Sequence, residues 1–177
     1  MRPIKTLLLA GAVLGALAGS AVADDFAICQ KESGDVAIAA CNRAINSNKY
    51  KGNLLSLLYI YRGAEWKGKG ENDKALADYS RAIKLDPSVP AIYNNRANII
   101  RDRGELDRAI ADYDTAIRLD PLYTAAFTNR GLAYEKQGKY QKARSDFRAA
   151  LSVPPKHNDG EWAQQTAREH LEELKDK

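Results

Sequence analysis

The chain has 177 residues, 45% hydrophobic and 28% charged, a composition that excludes a polypeptide disordered throughout. Its formal net charge of +4 includes Arg2 and Lys5, which precede every acidic residue; without those two it is +2, with both signs mixed, which is no nucleic-acid footprint.

The first 23 residues have the order of a signal peptide. Arg2 and Lys5 form a positive start, residues 6–18 are an almost unbroken apolar stretch, and Ala21-Val22-Ala23 is an A-x-A cleavage box before Asp24-Asp25. The apolar stretch is short for a membrane span, and no Cys stands at the cleavage point. The mature chain is therefore expected to begin at Asp24, to be periplasmic or secreted, and to keep no membrane span.

Residues 24–55 are expected to form a degenerate helical hairpin, a shortened helix over 25–31 followed by a second over 35–45. Ala37 aligns with Ala75 and Cys41 with Tyr79, at a separation of 38, so 46–53 is expected to be a longer loop. Cys29 and Cys41 are the only cysteines. An even count in an exported chain points to one disulfide, which would staple this hairpin; the alternative is two buried free thiols.

Three units follow, at 56–89, 90–123 and 124–157. Gly70, Gly104 and Gly138 recur every 34 residues, as do Ala75, Ala109 and Ala143; Tyr79, Tyr113 and Phe147; Ala82, Ala116 and Ala150; Pro87, Pro121 and Pro155; and Gly63, Ala97 and Gly131. In the first unit the small and apolar positions fall at helical spacing over 56–67 and again over 72–85. Gly70 supplies a left-handed residue where the first helix ends, and Pro87 stops the second. Gly63 and Ala75 are small, so the two helices can approach closely, while Tyr79 and Ala82 share the face of Ala75. Residues 158–177 are expected to form an amphipathic capping helix, with Trp162, Ala163, Ala167, Leu171 and Leu174 on its apolar face.

These residues resemble the tetratricopeptide-repeat (TPR) family, whose pattern sets a large residue, Gly or Ala, an aromatic, Ala, an aromatic, Ala and Pro at fixed offsets. Unit one carries it as Tyr59, Gly63, Trp66, Ala75, Tyr79, Ala82 and Pro87; Asn72 and Ile100 depart from it. The resemblance implies an all-α, right-handed solenoid of three full helix hairpins, with the degenerate hairpin and the capping helix at its ends.

It also implies that the first helix of each unit lines a concave groove. The expected groove positions are Leu57, Ile60, Ala64 and Lys67 in unit one; Ala91, Asn94, Asn95, Asn98 and Arg101 in unit two; and Ala125, Thr128, Asn129, Leu132 and Glu135 in unit three. Asn side chains both donate and accept, so they suit an extended peptide backbone; the alternative is that they are hydrated surface. Some TPR proteins clamp a C-terminal carboxylate with Lys, Asn and Arg. Of the five matching positions only Asn95 conforms, the others being Ile60, Ala64, Ala125 and Asn129, so that clamp is not expected.

Arg62, Arg96 and Arg130 recur at the same period, as do Asp78, Asp112 and Asp146. They form either a charged ladder along the groove or pairs between packed helices, and repetition in every unit favours the pairs. Residues 63–70 approach a P-loop but place Gly70 where a magnesium-binding hydroxyl belongs, and the segment ends a helix instead of opening one. His157 and His170 lie in different elements with no second ligand at zinc spacing, and no G-x-S-x-G is present. No enzymatic activity, cofactor or metal is expected, and no nucleic acid. The expected function is a protein–protein interaction scaffold or adaptor in the cell envelope, binding a protein or peptide segment in the groove. The alternatives are a self-associating structural module and an accessory subunit of an envelope enzyme or secretion complex.

Overall fold

The computed structural model describes residues 21–155, 159–175 and 177, with side chains from residue 25. Most of the expected signal segment, and His157, lie outside the described residues. Among the described residues there are nine helices and no strand: α1 (Ala21–Lys31), α2 (Gly34–Asn46), α3 (Gly52–Gly68), α4 (Asn72–Leu85), α5 (Pro90–Asp102), α6 (Leu106–Leu119), α7 (Thr124–Lys136), α8 (Tyr140–Ser152) and α9 (Gly160–Glu173).

Each helix packs on the next, and the odd-numbered helices also touch their odd neighbours, whereas no even-numbered helix touches another. That asymmetry brings the odd helices together on one side and splays the even ones on the other, which is how a stack of hairpins acquires a concave face. The all-α repeat solenoid expected from the sequence is the observed architecture.

The repeated residues act as their chemistry requires. Gly70 has φ +76°, and the next residue, Glu71, returns its N–H to the Trp66 carbonyl at 2.9 Å, closing α3. The bonds Glu105 to Ile100 and Lys139 to Tyr134 repeat this at the ends of α5 and α7. A Cβ on Gly63 would lie 2.8 Å from Tyr79 Cε1, and one on Gly131 would lie 2.6 Å from Phe147 Cε1, so α3 and α7 meet their partner helices at backbone distance. Ala75, Ala82, Ala109, Ala116, Ala143 and Ala150 are all fully buried.

The Arg–Asp ladder is structural. Arg62, Arg96 and Arg130 each grip Asp78, Asp112 and Asp146 through two guanidinium nitrogens at 2.7–2.8 Å, pinning the first helix of a hairpin to its second. Arg62 also reaches Asn42 on α2, and Arg130 reaches Asp114 on α6, so the same side chain ties one hairpin to the one before it. The hydrogen bonds to Asp112 hold the Arg96 guanidinium charged, above its ordinary value, against the opposing cost of burial.

Both ends differ in detail from the sequence reading. The helix expected from residue 56 begins at Gly52, and only residues 47–51 join it to α2, so no long loop separates the leading hairpin from the stack. Apolar Leu55 extends the helix backwards and, with Leu58, packs against Phe26, Cys41 and Ala44 of α1 and α2. Cys29 and Cys41 are joined by a disulfide that ties α1 to α2. At the other end α9 occupies the place a further odd helix would take, against both α7 and α8. Its buried face is Gly160, Ala163 and Ala167, continued by Leu174 just past its end; Trp162, expected on that face, points outward and is 52% exposed. Small residues are needed there because Thr128 donates to the Ala163 carbonyl at 3.0 Å, which draws α9 too close to α7 for an indole.

Candidate functional site

The concave face is built by α3, α5, α7 and α9. Of the positions expected to line it, Leu57, Ile60, Asn95, Asn98, Arg101, Leu132 and Glu135 are partly exposed. Asn94, Thr128 and Asn129 are not available as surface side chains, being at most 3% exposed, and Ala125 is fully buried. They fail as groove residues because the odd helices sit side by side. Asn129 donates to Asn94 at 3.0 Å and accepts from Arg101 at 3.0 Å, and Asn94 donates to the Tyr123 hydroxyl at 3.3 Å. This amide network joins α5 to α7, satisfying buried polar groups that would otherwise be costly. The hydrated-surface alternative also fails for Asn94, which is interior.

Asn98 stays at the groove but is engaged: its Oδ1 accepts from the Tyr113 hydroxyl at 2.6 Å. Burial pushes the Tyr113 phenol well above its ordinary value, so it stays a neutral donor. In repeat three the same two positions hold Leu132 and Phe147, an apolar pair. In repeat one they hold Ala64 and Tyr79, and there the buried Tyr79 hydroxyl has no hydrogen-bond partner among the described residues.

Charge on the concave face gathers near the C-terminal ends of the odd helices. Burial pushes the Lys67 ammonium below its ordinary value; Asp102 opposes this and the Arg101 charge adds to it, so Lys67 and Arg101 share one electrostatic environment. Arg101 is balanced by Asp102 at 3.1 Å. Glu135, at the equivalent place in repeat three, is taken by His170 of α9 at 2.6 Å. A cleft of about 430 Å³ runs beside that contact and is lined by Arg101, Leu132, Lys136, Tyr140 and Lys177. Glu135, His170 and Glu173 bring three donor atoms within 4.8 Å of one another, but Glu135 and His170 are already bonded and the cleft beside them is cationic, so the cluster works as a latch for the cap. The sequence missed this contact because it joins residues 35 apart on helices that meet only in the folded stack. The orphaned Tyr79 hydroxyl was missed too, although comparing positions 64, 98 and 132 across the repeats carries the signal.

Residues 68–100 and 97–138 match the family model described as TPR repeat, and residues 124–157 match the one described as tetratricopeptide repeat, so the matches run over 68–157, just over half of the chain. The chain belongs to the tetratricopeptide-repeat family. This TPR protein is similar to solved TPR structures. The Arabidopsis OM64 TPR domain is 29% identical, with a TM-score of 0.56, over 65% of this chain and 95% of that one. The second TPR domain of human RPAP3, solved in complex with the HSP70 peptide SGPTIEEVD, is 27% identical, with a TM-score of 0.58, over 69% of this chain and 99% of that one. A MamA crystal structure has a TM-score of 0.68 over 88% of this chain and 91% of that one; at 19% identity the likeness is one of fold. No curated protein matches the sequence.

Proposed function

We propose that this TPR protein is a non-enzymatic adaptor that binds an extended protein or peptide segment along the concave face of α3, α5 and α7, and that it works in the cell envelope or outside the cell after losing residues 1–23. The observation that carries the reading is the division of labour in the repeats. The Ala positions and the Tyr79, Tyr113 and Phe147 position shared by all three units are fully buried in packing, whereas Leu57, Asn95, Asn98 and Leu132 vary and remain partly exposed on one face. A scaffold of this kind specifies a surface and leaves the ligand to the variable positions. The second RPAP3 TPR domain, a structural neighbour, was solved in complex with a peptide. The order of charges, apolar run and A-x-A box in residues 1–23 supports export, and a disulfide suits an oxidising compartment.

The test is to select binders for the purified protein from a random peptide library. Their affinities are then measured for the Leu57→Arg/Asn95→Arg variant and for Arg118→Glu, on exposed α6. Loss of binding in the first variant alone, at unchanged melting temperature, is the expected result; equal binding by both places the ligand elsewhere. Export is tested separately by N-terminal sequencing of protein from the envelope fraction, where Asp24 is expected and Met1 would refute it.

A further inference from the structure

The C-terminal end of the stack breaks a pattern set by the repeats before it. In 34-residue register Trp162 follows Asn94 and Thr128, and Arg144 follows Leu76 and Ile110. Each of those earlier residues packs forward, onto the next unit. Asn94 accepts from Asn129 of α7 at 3.0 Å, and Thr128 donates to the Ala163 carbonyl of α9 at 3.0 Å. Leu76 of α4 packs against the apolar cluster of repeat two, and Ile110 of α6 shares that cluster with Ala133 of α7. Trp162 and Arg144 therefore both stand on the forward face, at the end of the stack, where Trp162 is 52% exposed and Arg144 partly exposed. A terminal cap that only ends a solenoid carries a polar outer face, and an outward indole departs from that.

A further hairpin of the same kind does not fit this end. Gly63, Ala97 and Gly131 are small where the second helix of each hairpin approaches its first, and a Cβ on Gly131 would already lie 2.6 Å from Phe147 Cε1. At that position α9 carries the exposed Gln165. What the end presents instead is a knob and a hole. The knob is Trp162, near the start of α9. The hole is a cleft of about 540 Å³ between α8 and α9, lined by Gln141, Arg144, Arg148, Leu171, Glu172 and Lys175. The two helices run antiparallel, because Gln164 donates to the Ala150 and Val153 carbonyls while Arg144 donates to that of Leu174. The cleft thus lies toward the far end of α9, with Leu171 nine residues on from Trp162, roughly 14 Å along the helix. Lys175 is held by Glu172, whereas Arg148 is exposed and has no ion-pair partner among the described residues. Charge divides between the two helices as well. The exposed charges of α8 are the cations Lys142 and Arg148; those of α9 are Glu161, Glu169, Glu172 and Glu173 against Arg168 alone.

We propose that this end face is the interface of a two-fold homodimer, in which Trp162 of each copy fills the α8–α9 cleft of the other. An axis midway between the knob and the hole, at right angles to the line joining them, exchanges the two, so a single surface supplies both halves of the contact twice. In the cleft the indole meets the apolar Leu171 and the guanidinium groups of Arg144 and Arg148, which suit its π-face. The same exchange carries the acidic α9 of one copy toward the basic α8 of the other. Self-complementarity in both shape and charge is what selects a second copy as the occupant. Trp and Arg are also the residue types that dominate the energetics of protein interfaces. The contact continues the forward packing by which each repeat already covers the one before it. It leaves the concave face of α3, α5 and α7 open, so a dimer carries two grooves, and it holds whatever those grooves bind.

The experiment is analytical ultracentrifugation of the purified protein over a wide range of concentrations. A monomer–dimer equilibrium that stops at the dimer is expected, with a dissociation constant that rises with salt. Trp162→Ala should raise that constant by at least about tenfold at an unchanged melting temperature, because the indole is half exposed in the monomer. Val36→Ala, at a residue 60% exposed on the leading hairpin, should leave it unchanged. Arg148→Glu and Glu161→Lys/Glu169→Lys should each weaken the dimer, and an equimolar mixture of these two variants should recover it, because both halves of the mixed interface then set opposite charges together. In Trp66→Phe, where Trp162 is the one remaining tryptophan, emission should move to the blue as the dimer forms. A protein that stays monomeric at every concentration overturns the proposal. So does growth beyond the dimer, which marks an open head-to-tail contact. A dimer that survives Trp162→Ala, or that Val36→Ala breaks, is held by another surface and overturns it as well. A mixture that fails to recover overturns the two-fold exchange.

Discussion

The Tyr113 hydroxyl donates to Asn98 Oδ1 at 2.6 Å and so ties the second helix of repeat two to the groove edge of its first. Asn98 is therefore both a surface residue and a structural one, although the sequence reading treats it as groove alone. Asn98→Ala leaves a buried phenol without an acceptor, and the expected cost is about 1–3 kcal/mol by urea unfolding. Adding Leu at 98 and Phe at 113 recreates the Leu132–Phe147 pair of repeat three and should recover most of that loss. A stability change within about 0.5 kcal/mol for Asn98→Ala would mean that the hydroxyl finds another acceptor.

Ala109 is fully buried against Ala97, Tyr113 and Ala133, where α5, α6 and α7 converge. Ala109→Leu overpacks this junction and should cost about 1–3 kcal/mol. Repeat two couples the repeats on either side of it, so the calorimetric transition should also broaden as the stack loses cooperativity. An unchanged, sharp transition would show that the helices part to admit the larger side chain.

The Cys29–Cys41 disulfide staples the leading hairpin, which has only one neighbour in the stack. With a sequence separation of 12, its removal is expected to cost on the order of 2–3 kcal/mol. Denatured, unreduced protein should show no titratable thiol, and Cys29→Ser/Cys41→Ser should unfold first at its N-terminal end, read by hydrogen exchange in α1 and α2. Two titratable thiols would exclude the bond.

Tyr79, Tyr113 and Tyr123 all have phenols raised by burial above the ordinary value of 10.0. A folded-state value above the unfolded one means that their contribution to stability is complete below pH 10 and is lost as pH rises beyond it. Ionisation at 295 nm and loss of helical circular dichroism are therefore expected to coincide in one alkaline transition for these three. Free titration of all tyrosines near pH 10 with the helices intact would contradict this.

The family, the period and the limits of α4 were legible in the sequence because a 34-residue repeat writes each packing rule three times. A small residue at a close helix contact, a Gly where the chain turns left-handed and a Pro after a helix are local requirements, and local requirements leave a local trace. The Arg62–Asp78 type of pair was legible for the same reason. What only the tertiary structure decided is which variable positions face solvent. Asn94 and Asn95 are neighbours with identical side chains, yet one is interior and one is not, because successive residues on a helix point about 100° apart and the approach of α7 to α5 covers one of them. Trp162 and Ala163 divide in the same way under α7. The repeat fixes how each hairpin folds; the spacing between hairpins determines what surface is left, and that spacing is set by contacts such as Asn129 to Asn94 and Thr128 to Ala163, 35 residues apart.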